Sequence, residues 1–276
     1  MFVAAAMVLV VLGSLLFHLW SPWRETPIAS NWGFIDDTMK LTFVVTAAGF
    51  IGVVGFLAFC LFKFRHRPGI RAAYEPENQK LEAWLAGVTT AAVIVLLAPG
   101  LAVWGQYITV PDGAMEVEVV GAQWSWSFRL PGSDGKLGAS DVRFIDSANP
   151  LGVNPGDPRG RDDLIVTNGE LHLPVGRPVK VLLRSIDVLH DFYVPEIRAK
   201  MDLVPGIVTY FWFTPTKIGE FEILCAAFCG LGHPQMRGML IIDAQADYET
   251  WLKAQQSFGE TRKSLNGAGA KQALAP

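Results

Sequence analysis

Charge is scarce in this chain. Only 18% of its 276 residues are Asp, Glu, Lys or Arg, against 51% hydrophobic. The formal net charge is −3, so the basic surface of a nucleic-acid binder is missing and that class is set aside. Cysteine is scarce too. Cys60, Cys225 and Cys229 are the three cysteines, too few for the disulfide framework of a small secreted scaffold. No Cys-x-x-Cys-His occurs, which excludes a covalently attached c-type haem. Residues 2–20, 41–62 and 83–104 carry no charged side chain at all.

Those three stretches are apolar instead. Each runs about 20 residues, and a helix of that length rises about 30 Å, enough to cross the hydrocarbon core of a bilayer. The second and third flank the basic segment 63–71, Lys-Phe-Arg-His-Arg-Pro-Gly-Ile-Arg, followed by Lys80. Short basic loops stay in the cytoplasm. Residues 41–105 therefore read as a membrane helical hairpin with its turn inside and all that follows outside. Trp84 and Trp104 bracket the third stretch, as interfacial aromatics do. Residues 1–20 read as a third span or a signal segment. The start lacks a positive flank and no small-x-small cleavage site follows, which favours the span. Cys60 lies within the second stretch as a packed or lipid-facing residue.

From residue 114 the pattern changes. Met115–Val120 alternates apolar and polar, as a half-buried strand does, and so does Trp124–Phe128. Alternation would put Trp124 and Trp126 on one face. Further strands are expected at 164–167, 178–185, 207–213, 219–225 and 238–243, with Gly, Pro and Asp clusters between them. Short strands at this spacing indicate an all-β sandwich or barrel over 114–256, closed by a helix over 246–256. Residues 257–276 read as a disordered tail. The insertion 131–163, rich in Gly, Pro and Asp, reads as a solvated loop; its Asp spacing matches no calcium loop.

The chemistry concentrates in Cys225-Ala-Ala-Phe-Cys229-Gly-Leu-Gly-His233-Pro-Gln-Met236. Thiolate and thioether are soft ligands that suit copper, while imidazole suits copper and zinc alike. One Cys with His and Met would suggest a single copper ion. A second Cys four residues on allows two thiolates to bridge two ions, and each ion then needs an imidazole. His190, in Ser185-Ile-Asp-Val-Leu-His190-Asp-Phe-Tyr-Val-Pro195, is the candidate for the second. His18, His66 and His172 read as ordinary core or surface residues. Structural zinc on Cys2His2 and a Cys225–Cys229 disulfide are the chemical rivals. Zinc leaves Met236 unexplained; a disulfide leaves both histidines and Met236 without a shared purpose.

His190, thirty-five residues before Cys225, with Cys-x3-Cys-x3-His-x2-Met, resembles the dinuclear CuA motif of cytochrome c oxidase subunit II. The resemblance extends through the helical hairpin, Gln123–Trp126, Asp187–His190, Val194–Pro195, Lys200–Asp202 and Pro205–Gly206. It implies a cupredoxin-like Greek-key domain holding two copper ions. Cys225 and Cys229 would bridge them, with His190 and His233 as terminal ligands, Met236 as a weak axial ligand and the Ala227 carbonyl as a further donor. It implies electrons arriving at Trp124 from cytochrome c or another small donor, with Asp187 and Asp191 attracting it. Ile186 stands where many relatives carry an acid. Subunits I and III are the implied partners, in a bacterial inner membrane with the domain on the periplasmic side. Glu82, at the cytoplasmic start of the third stretch, matches the place of an acid at the mouth of a proton path. Relatives usually carry Glu where this chain has Ala227; that Glu binds a boundary magnesium, so the magnesium is expected to be weak or absent here. Two other functions stay open on sequence: the CuA subunit of a nitric oxide reductase, and a stand-alone membrane-anchored copper-binding protein.

Overall fold

The computed structural model describes residues 2–21, 26–71, 74, 76–146 and 148–264. The chain divides into two compact units. One holds Met1–Glu25 and Phe34–Gly105; the other holds Thr26–Gly33 and Gln106–Pro276.

The first unit is helical: α1 (Phe2–Trp20), α2 (Gly33–Lys63) and most of α3 (Gln79–Ile108). All three are long and apolar enough to cross a membrane, with mean hydropathy of 2.5, 2.4 and 2.1. Almost none of their side chains is covered by protein, so these surfaces need lipid or other subunits around them. At 31 and 30 residues, α2 and α3 outrun the uncharged stretches. At about 1.5 Å per residue they rise about 45 Å, more than the hydrocarbon core alone requires.

The second unit is a sandwich of two five-stranded sheets. One runs β3 (Leu164–Val166), β2 (Ser125–Leu130), β1 (Met115–Ala122), β5 (Val179–Ser185), β8 (Thr209–Phe213). The other runs β4 (Glu170–Pro174), β10 (Arg237–Asp243), β9 (Gly219–Cys225), β6 (His190–Val194), β7 (Ala199–Leu203). β1–β5 and β4–β10 pair in parallel and the rest are antiparallel. Trp126 and Phe211, from the first sheet, meet Phe192 of the second at ring-centroid distances of 5.8 and 6.0 Å. α4 (Gln245–Ala254) closes the chain against β4 and β10, with Trp251 stacked at 4.3 Å on His172.

Three strands escape the alternation reading. β6 is buried on both faces, so no polar alternation marks it. β7 carries Lys and Asp in five residues, and β4 ends in Pro174, which a strand at the sheet edge tolerates.

Two other expectations are corrected. Residues 131–163 are not a solvated loop. They lie over the outer face of the first sheet, where Leu151 and Val153 pack with Val120 and Phe258. This cover explains why β1 is buried on both faces. Beneath it Arg129, itself 3% exposed, bonds Glu118 at 2.8 Å and Asp163 at 2.9 Å, while Arg184 reaches Glu118 at 3.3 Å. Asp163 also accepts the Gly138 N–H at 3.0 Å, tying the insertion to the sheet. Burial pushes its carboxyl up to about 6 against the pull of Arg129. The expected tail is ordered at its start: residues 258–264 are helical, Phe258 is 3% exposed, and its N–H bonds the Asp163 carbonyl at 2.8 Å. The rest of that tail, 265–276, lies outside the described residues.

Candidate metal centre

Loop geometry gathers the predicted ligands at one end of the sandwich. β9 ends at Cys225 and β10 starts at Arg237, so the whole run from Cys225 to Met236 is the connection between two paired strands. β6 begins at His190, and its Phe192 pairs with Cys225, which sets His190 beside the first thiol.

The Cys225 and Cys229 sulfurs lie 3.8 Å apart, far beyond the roughly 2.0 Å of a disulfide. The His190 Nδ1 lies 3.9 Å from Cys225 Sγ, and the His233 Nδ1 lies 3.6 Å from Cys229 Sγ. Met236 Sδ stands 3.8 Å from Cys229 Sγ, and the Ala227 carbonyl 3.2 Å from Cys225 Sγ. The ligand atoms of His190, Cys225 and Cys229 all fall within 4.8 Å of one another. Metal–sulfur bonds of about 2.3 Å can span the gap between these thiols. Each imidazole addresses a different sulfur, so the donors form two ends. His190 is fully buried, and Met236 and Cys229 are 1% and 4% exposed. Burial, with Cys225 alongside, pushes the Cys229 thiol up to about 11, so metal must displace its proton on binding.

The surroundings fix this arrangement. Asp187 Oδ1 lies 2.8 Å from His190 Nε2, leaving Nδ1 turned to the thiols. Asp187 also accepts the Gln123 and Val188 N–H groups, each at 2.6 Å. Burial opposes its ionisation, yet bonds from Gln123, His190 and Val188 hold the carboxyl below its usual range. Gly121 lies under His190: a Cβ there would come 3.0 Å from the ring. Trp126 meets His190 edge-on at 6.3 Å.

Trp124 does not share a face with Trp126. β1 and β2 are joined by the tight turn Gln123–Trp124, so Trp124 leaves the pleat and is 41% exposed while Trp126 is 1% exposed. Trp124 Nε1 donates to the Cys229 carbonyl at 3.3 Å, and Gln123 Nε2 donates to the same oxygen at 2.8 Å. The indole lies against Gly232, where a Cβ would fall 2.3 Å from the ring. Gln123, Gly121 and Gly232 were not legible as site residues, since their roles depend on a turn and a close approach.

Asp191 is corrected as a surface charge. It is 2% exposed, and its Oδ2 bonds Lys200 at 3.0 Å while Oδ1 has no partner. Burial pushes its carboxyl up to about 6, with Lys200 opposing. Phe228 is 82% exposed and meets the His233 ring edge-on at 5.7 Å. Glu82 is exposed in the first turn of α3.

A two-sheet sandwich with a His2Cys2Met cluster in its end loops, on a chain with three helices long enough to cross a membrane, defines a cupredoxin-like domain with a candidate copper site, preceded by apolar helices. Residues 115–244 match the family described as cytochrome C oxidase subunit II, periplasmic domain. An alternative cytochrome c oxidase subunit 2 of Bradyrhizobium diazoefficiens is 58% identical over 94% of this chain and 93% of its own length. A cytochrome c oxidase subunit 2 of Thermostichus vulcanus is 27% identical over 81% of this chain and 76% of its own. The solved periplasmic domain of subunit II (CoxB) of Bradyrhizobium japonicum is 25% identical, with a TM-score of 0.39, over 52% of this chain and 95% of that one. The chain belongs to the cytochrome c oxidase subunit II family, and thus serves electron transfer within an oxidoreductase complex.

Proposed function

We propose that this chain takes electrons one at a time from cytochrome c, or another small carrier, at Trp124 and passes them to haem in subunit I for oxygen reduction. The observation that carries the reading is the two-ended donor set: two imidazole Nδ1 atoms, each turned to a different member of a thiol pair held 3.8 Å apart. When bound, a pair of copper ions would supply a store for a single shared electron. Cys225, Cys229, His190 and His233 would hold that pair, with Met236 and the Ala227 carbonyl as weaker donors. Six donors from this chain would surround the metal, which fits a relay better than a substrate site. Burial and short loops between paired strands keep the cluster stiff and dry, which limits rearrangement as charge comes and goes.

The basic segment 63–71 supports a cytoplasmic turn and a periplasmic sandwich in the inner membrane. Subunit III is a further expected neighbour, and Glu82, in the first turn of α3, would receive protons from the cytoplasmic side. Ala227 offers no carboxylate, so a boundary magnesium that relies on that position is weak or absent. An electron paramagnetic resonance spectrum of the copper-loaded full chain tests the central reading. The expected result is hyperfine structure from one electron shared by two copper nuclei. A single bound zinc ion, or a Cys225–Cys229 disulfide in the native protein, would sink it.

A further inference from the structure

The three loops that converge on the cage are 123–124, 186–189 and 226–236. Together they contain one acidic residue, Asp187, and no Lys or Arg. Asp187 is occupied internally, by two N–H groups and His190. Among the charges beyond the loops, Asp191 is buried on Lys200, Glu222 pairs with Arg237 at 2.5 Å, and Asp202 is exposed on β7. What the loops expose is mostly apolar, with Gln123, Asp187 and Gln235 beside it. Leu231 is 93% exposed, Leu189 43%, Trp124 41%, and Ile186 and Val188 36% each. The Gln123 N–H bond to Asp187 and the packing of Trp124 on Gly232 join the three loops into one surface around the indole.

We infer that this face docks a one-electron carrier protein whose redox edge is framed by uncharged, apolar side chains, and not one that approaches through a ring of lysines. The inference rests on the electron-transfer reading above. Charge complementarity selects the partner: the one carboxylate in these loops, Asp187, is already bonded to two N–H groups and His190, so a lysine ring finds few matching acids there. An apolar edge finds side chains it can bury together with the indole, whose NH is already bonded to the Cys229 carbonyl. The reduced carrier loses one electron and the copper centre gains it. Docking without steering charges implies an on-rate that salt leaves nearly unchanged.

The complete purified oxidase complex provides the test, with two probes: a lysine-rich mitochondrial-type cytochrome c and a c-type cytochrome with an uncharged haem edge. Stopped-flow rates and surface-plasmon-resonance affinities are measured from about 10 to about 500 mM salt. The uncharged-edge cytochrome should bind more tightly, with a rate that changes by less than about threefold across the range. Leu231→Ser should weaken its affinity by about fivefold to tenfold while the copper absorption spectrum stays in place. Ile186→Glu should raise the low-salt rate of the lysine-rich probe by about tenfold and make it salt-sensitive. A wild-type rate with the lysine-rich probe that falls tenfold with salt, or an unchanged affinity in Leu231→Ser, overturns the inference while an intact copper spectrum keeps the relay reading. A wild-type complex without that spectrum overturns both.

Discussion

Replacing Asp187 by Ala separates two roles that its position allows. The sequence suggests a surface charge for a basic donor; the structure makes it the brace of His190. Its carboxylate takes the Gln123 and Val188 N–H groups at 2.6 Å each and faces His190 Nε2 at 2.8 Å. Removal leaves a fully buried imidazole without its acceptor and frees two N–H groups in the ligand loop. Partners of this kind cost about tenfold to hundredfold in metal affinity when lost. That corresponds to about 1.4–2.8 kcal/mol. Asp187→Asn keeps the shape and one acceptor oxygen, but its amide meets donors, so the loss should be smaller. The assay is competition between the full chain and a copper chelator, followed by the thiolate–copper absorption. A docking charge alone would alter only the salt dependence of electron uptake. Wild-type copper affinity in Asp187→Ala would refute the bracing argument.

Other outcomes follow from single contacts. Gly232→Ala puts a Cβ 2.3 Å from the Trp124 ring, where carbon–carbon contact needs about 3.5 Å, so the indole must move by about 1 Å. Electron uptake should slow by about tenfold to hundredfold with the copper spectrum retained; an unchanged rate would show that Trp124 is not on the path. Asp163, raised to about 6, binds its proton more tightly folded than unfolded, so its contribution to stability grows as pH falls from 7 toward 4. Relative to Asp163→Asn, the wild type should gain about 1 kcal/mol between pH 7 and pH 5 in denaturant unfolding of the detergent-solubilised chain; no gain would contradict the burial argument. Arg129→Met strands two buried carboxylates and should cost about 3–5 kcal/mol, read as a lowered unfolding midpoint. Phe258→Ala should cost about 3 kcal/mol and speed proteolysis within 131–163; unaltered proteolysis would mean the insertion does not depend on that side chain.

The candidate site was legible because Cys225, Cys229, His233 and Met236 lie in one short loop, and soft donors so close together have few other uses. The helices were legible because an uncharged stretch of membrane length reads the same in any context. Alternation gave seven of the strands but not β6, where burial on both faces removes the signal on which period-two reading depends. It also misplaced Trp124, because a two-residue turn breaks the pleat that alternation assumes. The insertion looked solvated since its apolar residues, Leu151 and Val153 among them, follow no helix or strand period and sit among Gly, Pro and Asp; what these two cover lies in β1 and beyond β10. Asp191 looked like a surface charge because nothing local reports Lys200 across the β6–β7 pair.

Trp32 precedes α2, yet it is fully buried in the sandwich unit, bonded through Nε1 to the Trp212 carbonyl at 2.9 Å and edge-on to that indole at 4.9 Å. Ala29 donates to Glu196 at 2.7 Å beside it. A soluble fragment cut after α3 would therefore leave behind a plug that its own sequence does not contain. Such a fragment would expose the Trp212 ring that Trp32 otherwise covers and would tend to self-associate. A recombinant version that splices 26–33 onto 106–264 through a flexible linker would carry the plug with it. Where the gene is trimmed for spectroscopy thus matters as much as which cysteines are kept.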